Sequence, residues 1–200
     1  MEKKVFLKSE DLELEGLLDK VDNDKGVVIT HPHPLYGGDM HNCVVESIKK
    51  AYSAKGYTTL RFNFRGVGKS QGNYADDQGE QEDLRSALAF IASLGINQVE
   101  LAGYSYGAWI NSLVSCKDSA IKKILLVSPP VAFIDFSPVT SIPGLKLVVT
   151  GSLDDYAPPD LVKKVLPVWN KKAMLEIIDG ADHFYGGCVK RLESVLDTFI

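Results

Sequence analysis

The chain has 200 residues, 45% of them hydrophobic, a mean hydropathy of −0.02, and 22 Lys and Arg against 26 Asp and Glu, for a net charge of −4 and a pI near 5.6. That composition predicts one soluble globular domain over residues 1–200, long enough to bury a substantial core. With no basic run, nucleic-acid and anionic-membrane binding gain no support, and no apolar run approaches the roughly 20 residues of a membrane helix.

The opening MEKKVFLKSEDLELEG lacks the apolar stretch and small-residue cleavage site of a secretory signal. Cys43, Cys116 and Cys188 are odd in number and form no Cys-x-x-Cys pair, which fits reduced thiols in a cytoplasm. Val5–Lys8 and Leu12–Leu18 alternate apolar and polar positions, predicting an antiparallel strand pair. The rhythm then changes to runs that are apolar on successive residues: Val27–Thr30, Thr58–Phe64, Val99–Ala102, Ile124–Ser128, Lys146–Thr150 and Leu175–Ile178. Such runs indicate strands covered on both faces. Helical segments at about 41–55, 77–94, 106–116, 159–166 and 187–199 separate most of them. Repeated strand–helix units predict an α/β fold with a doubly wound, mostly parallel sheet and helices on both faces. Ser128–Pro143, with four prolines, reads as a loop with at most a short helix, which leaves no lid domain.

Within 98–112, QVELAGYSYGAWINS, an apolar strand runs into Gly103-Tyr104-Ser105-Tyr106-Gly107 and then into helix. The glycines let a strand–turn–helix close tightly enough to expose Ser105, the candidate nucleophile. The plain alternative is a Gly-rich turn with an ordinary serine. A serine hydroxyl needs a base, and the base needs a group that fixes its tautomer. Downstream, one predicted strand ends in Gly151-Ser152-Leu153-Asp154-Asp155 and another in Asp179-Gly180-Ala181-Asp182-His183-Phe184. In a parallel sheet these loops share one edge, so serine, acid and histidine can meet there.

The order Ser…Asp…His, with His-Pro-His-Pro-Leu-Tyr-Gly-Gly at 31–38, Arg-Phe-Asn-Phe-Arg-Gly-Val-Gly-Lys-Ser at 61–70 and the Gly-Tyr-Ser-Tyr-Gly elbow, resembles the compact α/β-hydrolases, among them small bacterial enzymes of dienelactone-hydrolase or carboxylesterase type. The resemblance runs from about residue 26 to the C-terminus. It implies Ser105 as nucleophile, His183 as base and Asp154 as orienting acid, with Asp155 the main alternative and Asp135, Asp179 and Asp182 nearby. One oxyanion donor is the Tyr106 N–H of the elbow; the second belongs to the loop after Val27–Thr30, where Pro32 and Pro34 cannot donate and His33 or Leu35 remains. Leu35 is the favoured choice. Tyr36, Phe133, Ile134, Phe136 and Phe184 are candidate pocket walls.

The reading that follows is a cytoplasmic serine hydrolase that cleaves small carboxylesters through an acyl-enzyme, without metal or cofactor, its partner a small ester-like substrate. A thioesterase or peptidase would use the same triad. A metal-dependent hydrolase would draw on His31 and His33 with Asp39 and His41, and a non-catalytic binding protein would keep only the fold. Val67-Gly68-Lys69-Ser70 resembles the end of a phosphate-binding loop, but Asn63 stands where its first glycine belongs.

Overall fold

The computed structural model describes residues 1–21, 24–117, 121 and 123–200. Strands β1 (Lys3–Ser9) and β2 (Leu12–Asp19) form the expected antiparallel pair, and β2 lies antiparallel to β4 (Thr58–Phe62). From there β3 (Lys25–Thr30), β5 (Gln98–Tyr104), β6 (Ile124–Val127), β7 (Leu145–Gly151) and β8 (Met174–Ile178) continue in parallel, giving the order β1-β2-β4-β3-β5-β6-β7-β8. The first crossover goes from β3 to β4 on one side of β3, and the next returns to β5 on the other. Loops after β3 and β5 therefore diverge and leave a crevice at the carboxyl edge, the usual place for a site in such sheets.

Helices α1 (Cys43–Ala54) and α5 (Val189–Phe199) cover one face through Val45, Ile48, Tyr52, Leu192 and Leu196. Helices α2 (Gln78–Ser93), α3 (Tyr106–Lys117) and α4 (Pro159–Trp169) cover the other, where Leu84, Ile91, Trp109, Leu113, Val162 and Trp169 pack on the sheet. The buried strands β3, β4, β6 and β7 supply near-continuous apolar runs because both faces are covered. No helix among the described residues is long and apolar enough to cross a membrane.

Local chemistry sets the ends. Asn42 caps α1 by accepting the Val44 N–H at 2.9 Å. Helix α4 runs three residues past its expected end despite Pro167, because Trp169 is buried there against Phe136. Strand β4 stops two residues short of the predicted Phe64, since Asn63 and Phe64 turn to bond the neighbouring loops: the Met40 N–H donates to Asn63 Oδ1, and the Phe64 N–H donates to the His31 ring. Strand β8 departs from expectation in its surroundings. It is an edge strand, and Met174 and Ile177 are exposed rather than covered. A short 3-10 helix at Pro34–Tyr36, not expected from the sequence, follows β3.

The stretch resembling a phosphate-binding loop is closed on itself. The Lys69 N–H donates to Glu15 Oε2 at 2.8 Å, and Ser70 Oγ donates to the Asn63 carbonyl at 2.7 Å. An internal carboxylate thus takes the place that a phosphate would need.

Candidate active site

Ser105 sits between β5 and α3 with φ of 54°, a left-handed conformation that a non-glycine residue holds only at a cost of roughly 1–3 kcal/mol. The strain is thus on the serine itself. Gly103 and Gly107 serve by lacking a side chain: a Cβ on Gly103 would lie 2.5 Å from Thr30 Oγ1 and from Asn111 Nδ2, and one on Gly107 would lie 2.6 Å from the Thr30 carbonyl oxygen. The turn is pressed against the end of β3 and secured by the Ser105 N–H donating to the Val127 carbonyl at 2.9 Å.

Ser105, His183 and Asp154 come together from three strand ends. Ser105 Oγ is 2.9 Å from His183 Nε2, and His183 Nδ1 is 2.9 and 3.0 Å from the two oxygens of Asp154. All three residues are buried or nearly so. Asp154 Oδ1 also accepts the N–H groups of Tyr156 at 3.0 Å and Ala157 at 2.8 Å. Burial alone would raise the Asp154 pKa, but the hydrogen bond and charge of His183, with the Ser128 hydroxyl and the Ala157 N–H, outweigh it and hold the carboxyl below its ordinary value. Asp155 is exposed, Asp135 bonds its own loop at Ser137, Asp179 receives Ser152 Oγ at 3.4 Å, and Asp182 caps the Gly186 N–H. Among the described residues the carboxylate that bonds the His183 ring is that of Asp154.

The histidine is braced from outside the constellation. Tyr104 Oη donates to the His183 carbonyl at 2.9 Å, and the Tyr156 ring packs on the imidazole with centroids 4.6 Å apart. Behind Asp154, Ser128 and the buried Tyr185 share a 2.8 Å hydrogen bond. Tyr104, Tyr156 and Tyr185 were not distinguishable from other loop or strand tyrosines by pattern. The adjacency of Tyr104 to the serine and of Tyr185 to the histidine was the available signal.

In front of Ser105 lies a cleft of about 360 Å³, lined by His33, Tyr36, Gly38, Tyr106, Ile134 and Phe184 among others. Four of the expected walls, Tyr36, Phe133, Ile134 and Phe184, line it. Phe136 does not: it is buried between Trp109 and Trp169, at 4.7 and 5.2 Å between centroids. Tyr156 takes a place at the wall instead. Among the described residues no Asp, Glu, Lys or Arg lines the cleft.

Two backbone donors face questions of supply. The Tyr106 N–H opens α3 and has no acceptor among the described residues. Leu35 is a different matter. Its N–H already donates to His33 Nδ1 at 3.2 Å, its side chain is exposed, and it does not line the cleft. His33 lines the cleft, and its N–H has no acceptor among the described residues. The Leu35 N–H, the donor expected for the oxyanion, is thus already taken by the His33 side chain, whereas the His33 N–H is not.

The metal alternative loses His31 as an open ligand in the same loop. Both ring nitrogens of His31 are engaged, Nδ1 with the Pro32 carbonyl at 2.6 Å and Nε2 with the Phe64 N–H at 3.0 Å. Among the described residues no group of three or more His, Cys, Asp or Glu side chains is placed to hold an ion.

A serine hydroxyl within hydrogen-bond reach of a carboxylate-oriented imidazole, at the carboxyl edge of this sheet, defines the class: an α/β serine hydrolase. Within that class the chain belongs to the X-Pro dipeptidyl-peptidase (S15) family, whose pattern it matches over residues 16–139. It is 34% identical over 183 residues to the Rickettsia prowazekii (strain Madrid E) protein RP471, an alignment covering 86% of this chain and 77% of that protein. Its fold is shared with an alpha-beta serine hydrolase homologue from Coxiella burnetii, at TM-score 0.90 and 32% identity over 98% of this chain and 96% of the other. It is shared also with XC6422 of Xanthomonas campestris, described as an a/b serine hydrolase without lid, at TM-score 0.89 and 28% identity over 98% and 92% of the two chains.

Proposed function

We propose that the protein cleaves small, uncharged carboxylesters through an acyl-enzyme on Ser105. The observation that carries this reading is the unbroken relay from Ser105 Oγ to His183 Nε2 and from His183 Nδ1 to Asp154, at 2.9 Å for each link. His183 accepts the hydroxyl proton as Ser105 Oγ attacks the ester carbonyl. The tetrahedral oxyanion is received by the N–H groups of Tyr106 and His33. Collapse expels the alcohol, which takes the proton from His183 Nε2. A water molecule, deprotonated by the same nitrogen, then attacks the acyl carbonyl and releases the acid and Ser105.

The neutral, aromatic cleft supports an uncharged substrate. Exposed Asp76, Asp155, Asp179 and Asp182 in the loops of the carboxyl edge disfavour polyanionic thioesters. With no lid domain among the described residues, a long acyl chain loses the apolar cover that is worth about 0.8 kcal/mol per methylene. The three cysteines are free, which supports a cytoplasmic location. A peptidase reading has one observation in its favour, the family match. An X-Pro peptide, however, presents an ammonium group, and among the described residues no carboxylate lines the cleft to receive it.

The test is intact mass after fluorophosphonate treatment of wild type and Ser105→Ala, followed by turnover of p-nitrophenyl acetate, p-nitrophenyl dodecanoate and an X-Pro p-nitroanilide. One adduct absent from Ser105→Ala, with acetate the preferred substrate, is the expected result. An unlabelled wild type refutes the serine mechanism, and faster anilide than acetate turnover moves the assignment to peptides.

A further inference from the structure

We infer that His31, a residue that never meets substrate, positions the oxyanion site by holding the Pro32–His33 peptide in one orientation. The inference rests on the proposed roles of Ser105 as nucleophile and the His33 N–H as oxyanion donor. Its geometry begins with the ring. Nε2 lies 3.0 Å from the Phe64 nitrogen, which can only donate, so Nε2 is the bare nitrogen. Nδ1 therefore carries the proton and donates it to the Pro32 carbonyl at 2.6 Å. His31 is fully buried, and its ring also packs edge-on against Phe64 with centroids 4.8 Å apart, so neither tautomer exchange nor rotation is open to it without breaking both bonds.

The Pro32 carbonyl and the His33 N–H belong to one peptide unit. The peptide bonds of the described chain are trans, so the two groups point in opposite directions across the unit. Fixing the carbonyl toward His31 fixes the N–H away from it, on the side where His33 lines the cleft beside Ser105. The rest of the loop closes around the same unit. The His33 carbonyl accepts the N–H groups of Tyr36 at 3.1 Å and Gly38 at 3.0 Å. A Cβ on Gly38 would lie 2.1 Å from the Pro32 oxygen, so only glycine permits the loop to fold back over that carbonyl. His31 links this peptide to the end of β4 through Phe64. The donor is thereby referenced to the sheet rather than to an exposed loop, which is the preorganisation that an oxyanion site requires.

The two contacts separate by substitution. His31→Asn retains an N–H donor near the position of Nδ1, and His31→Gln retains an acceptor near the position of Nε2. Both variants and wild type are to be measured with p-nitrophenyl acetate, with fluorophosphonate labelling at Ser105 and thermal melts alongside. We expect His31→Gln to lower kcat on the order of 10²-fold with KM little changed, as loss of an oxyanion donor does. His31→Asn should rescue most of that loss even where its melting temperature is the lower of the two. Equal kcat for wild type and His31→Gln, or losses that follow the melting temperatures alone, overturn the inference. An unlabelled wild type overturns the serine reading and this inference with it, whereas a labelled wild type with an unaffected His31→Gln overturns the inference alone. Should either variant not fold, ¹⁵N NMR of the wild-type ring decides: an Nδ1-protonated neutral imidazole is expected, and the Nε2-protonated form overturns the inference.

Discussion

A buried histidine held neutral makes stability depend on pH in a window that can be worked out. Burial pushes the pKa of His31 down from 6.5 to about 4, with the Pro32 carbonyl and Asp39 opposing that shift and His33 adding to it. The unfolded chain therefore binds more protons at this residue between pH 6.5 and 4. Its contribution is fully present above pH 6.5, is lost as pH falls through that interval, and stops falling near pH 4. The fall from 6.5 to about 4 corresponds to about 3 kcal/mol over the whole window, and about 2 kcal/mol of it falls between pH 7 and 4.5. Carboxylates with lowered pKa, Asp154 among them, act in the same direction but only around and below pH 4. The assay is urea denaturation at pH 7.0, 6.0, 5.0 and 4.5, comparing wild type with His31→Asn, which does not titrate. His33 also has a lowered pKa through burial, but it is common to both proteins and largely cancels in the difference. The wild type should lose about 2 kcal/mol more than the variant between pH 7 and 4.5. Equal pH slopes for the two proteins would refute the assignment of a buried neutral imidazole at position 31.

Asp154→Asn should lower kcat by about 10³–10⁴ with a small change in KM, since an amide no longer stabilises the imidazolium and favours the wrong tautomer. Asp155→Asn, at an exposed neighbour without contact to His183, should stay close to wild type, and the reverse ranking in an acetate-ester assay would reassign the acid. Gly107→Ala places a Cβ 2.6 Å from the Thr30 carbonyl oxygen, a backbone atom that cannot swing away. It should cost about 1–3 kcal/mol in chemical denaturation and slow fluorophosphonate labelling at Ser105. Asp83→Ala removes the buried partner of Arg65, to which Asp83 is bound at 2.8 to 3.1 Å while also accepting Ser9 Oγ at 2.8 Å. A loss of about 3–5 kcal/mol is expected, read from urea midpoints, because the buried guanidinium keeps only the exposed Glu10 carboxylate, at 3.2 Å, and the Arg65 N–H loses its acceptor.

The strands, five main helices and the convergence of Ser105, His183 and Asp154 are legible in the chain because each depends on local pattern plus one topological rule. Apolar runs mark strands covered on both faces, and a parallel sheet collects their following loops along one edge. What the pattern could not decide is which local groups are already in use. By sequence both Leu35 and His33 can donate, and Leu35 is the favoured choice. The choice turns on a side-chain bond that spans two residues, from the Leu35 N–H to His33 Nδ1, and it arises only once Pro34–Tyr36 coils into a 3-10 turn. Phe136 failed as a wall for a similar reason, since the Pro-rich segment folds it inward against two tryptophans distant in sequence.

His31 shows the same limit from the other side. In a run of His-Pro-His-Pro the first histidine looks like a ligand as much as anything else, because its partners are the carbonyl next to it and the N–H of Phe64, 33 residues away. Only when β3 and β4 lie side by side does the ring acquire a bond on each nitrogen, and those two bonds together remove it from metal chemistry. The loop after β3 carries the proposed oxyanion donor. Tying its first peptide to the neighbouring strand through a rigid, uncharged ring would give that donor a fixed direction, while the Leu35 and Tyr36 side chains at the tip stay exposed.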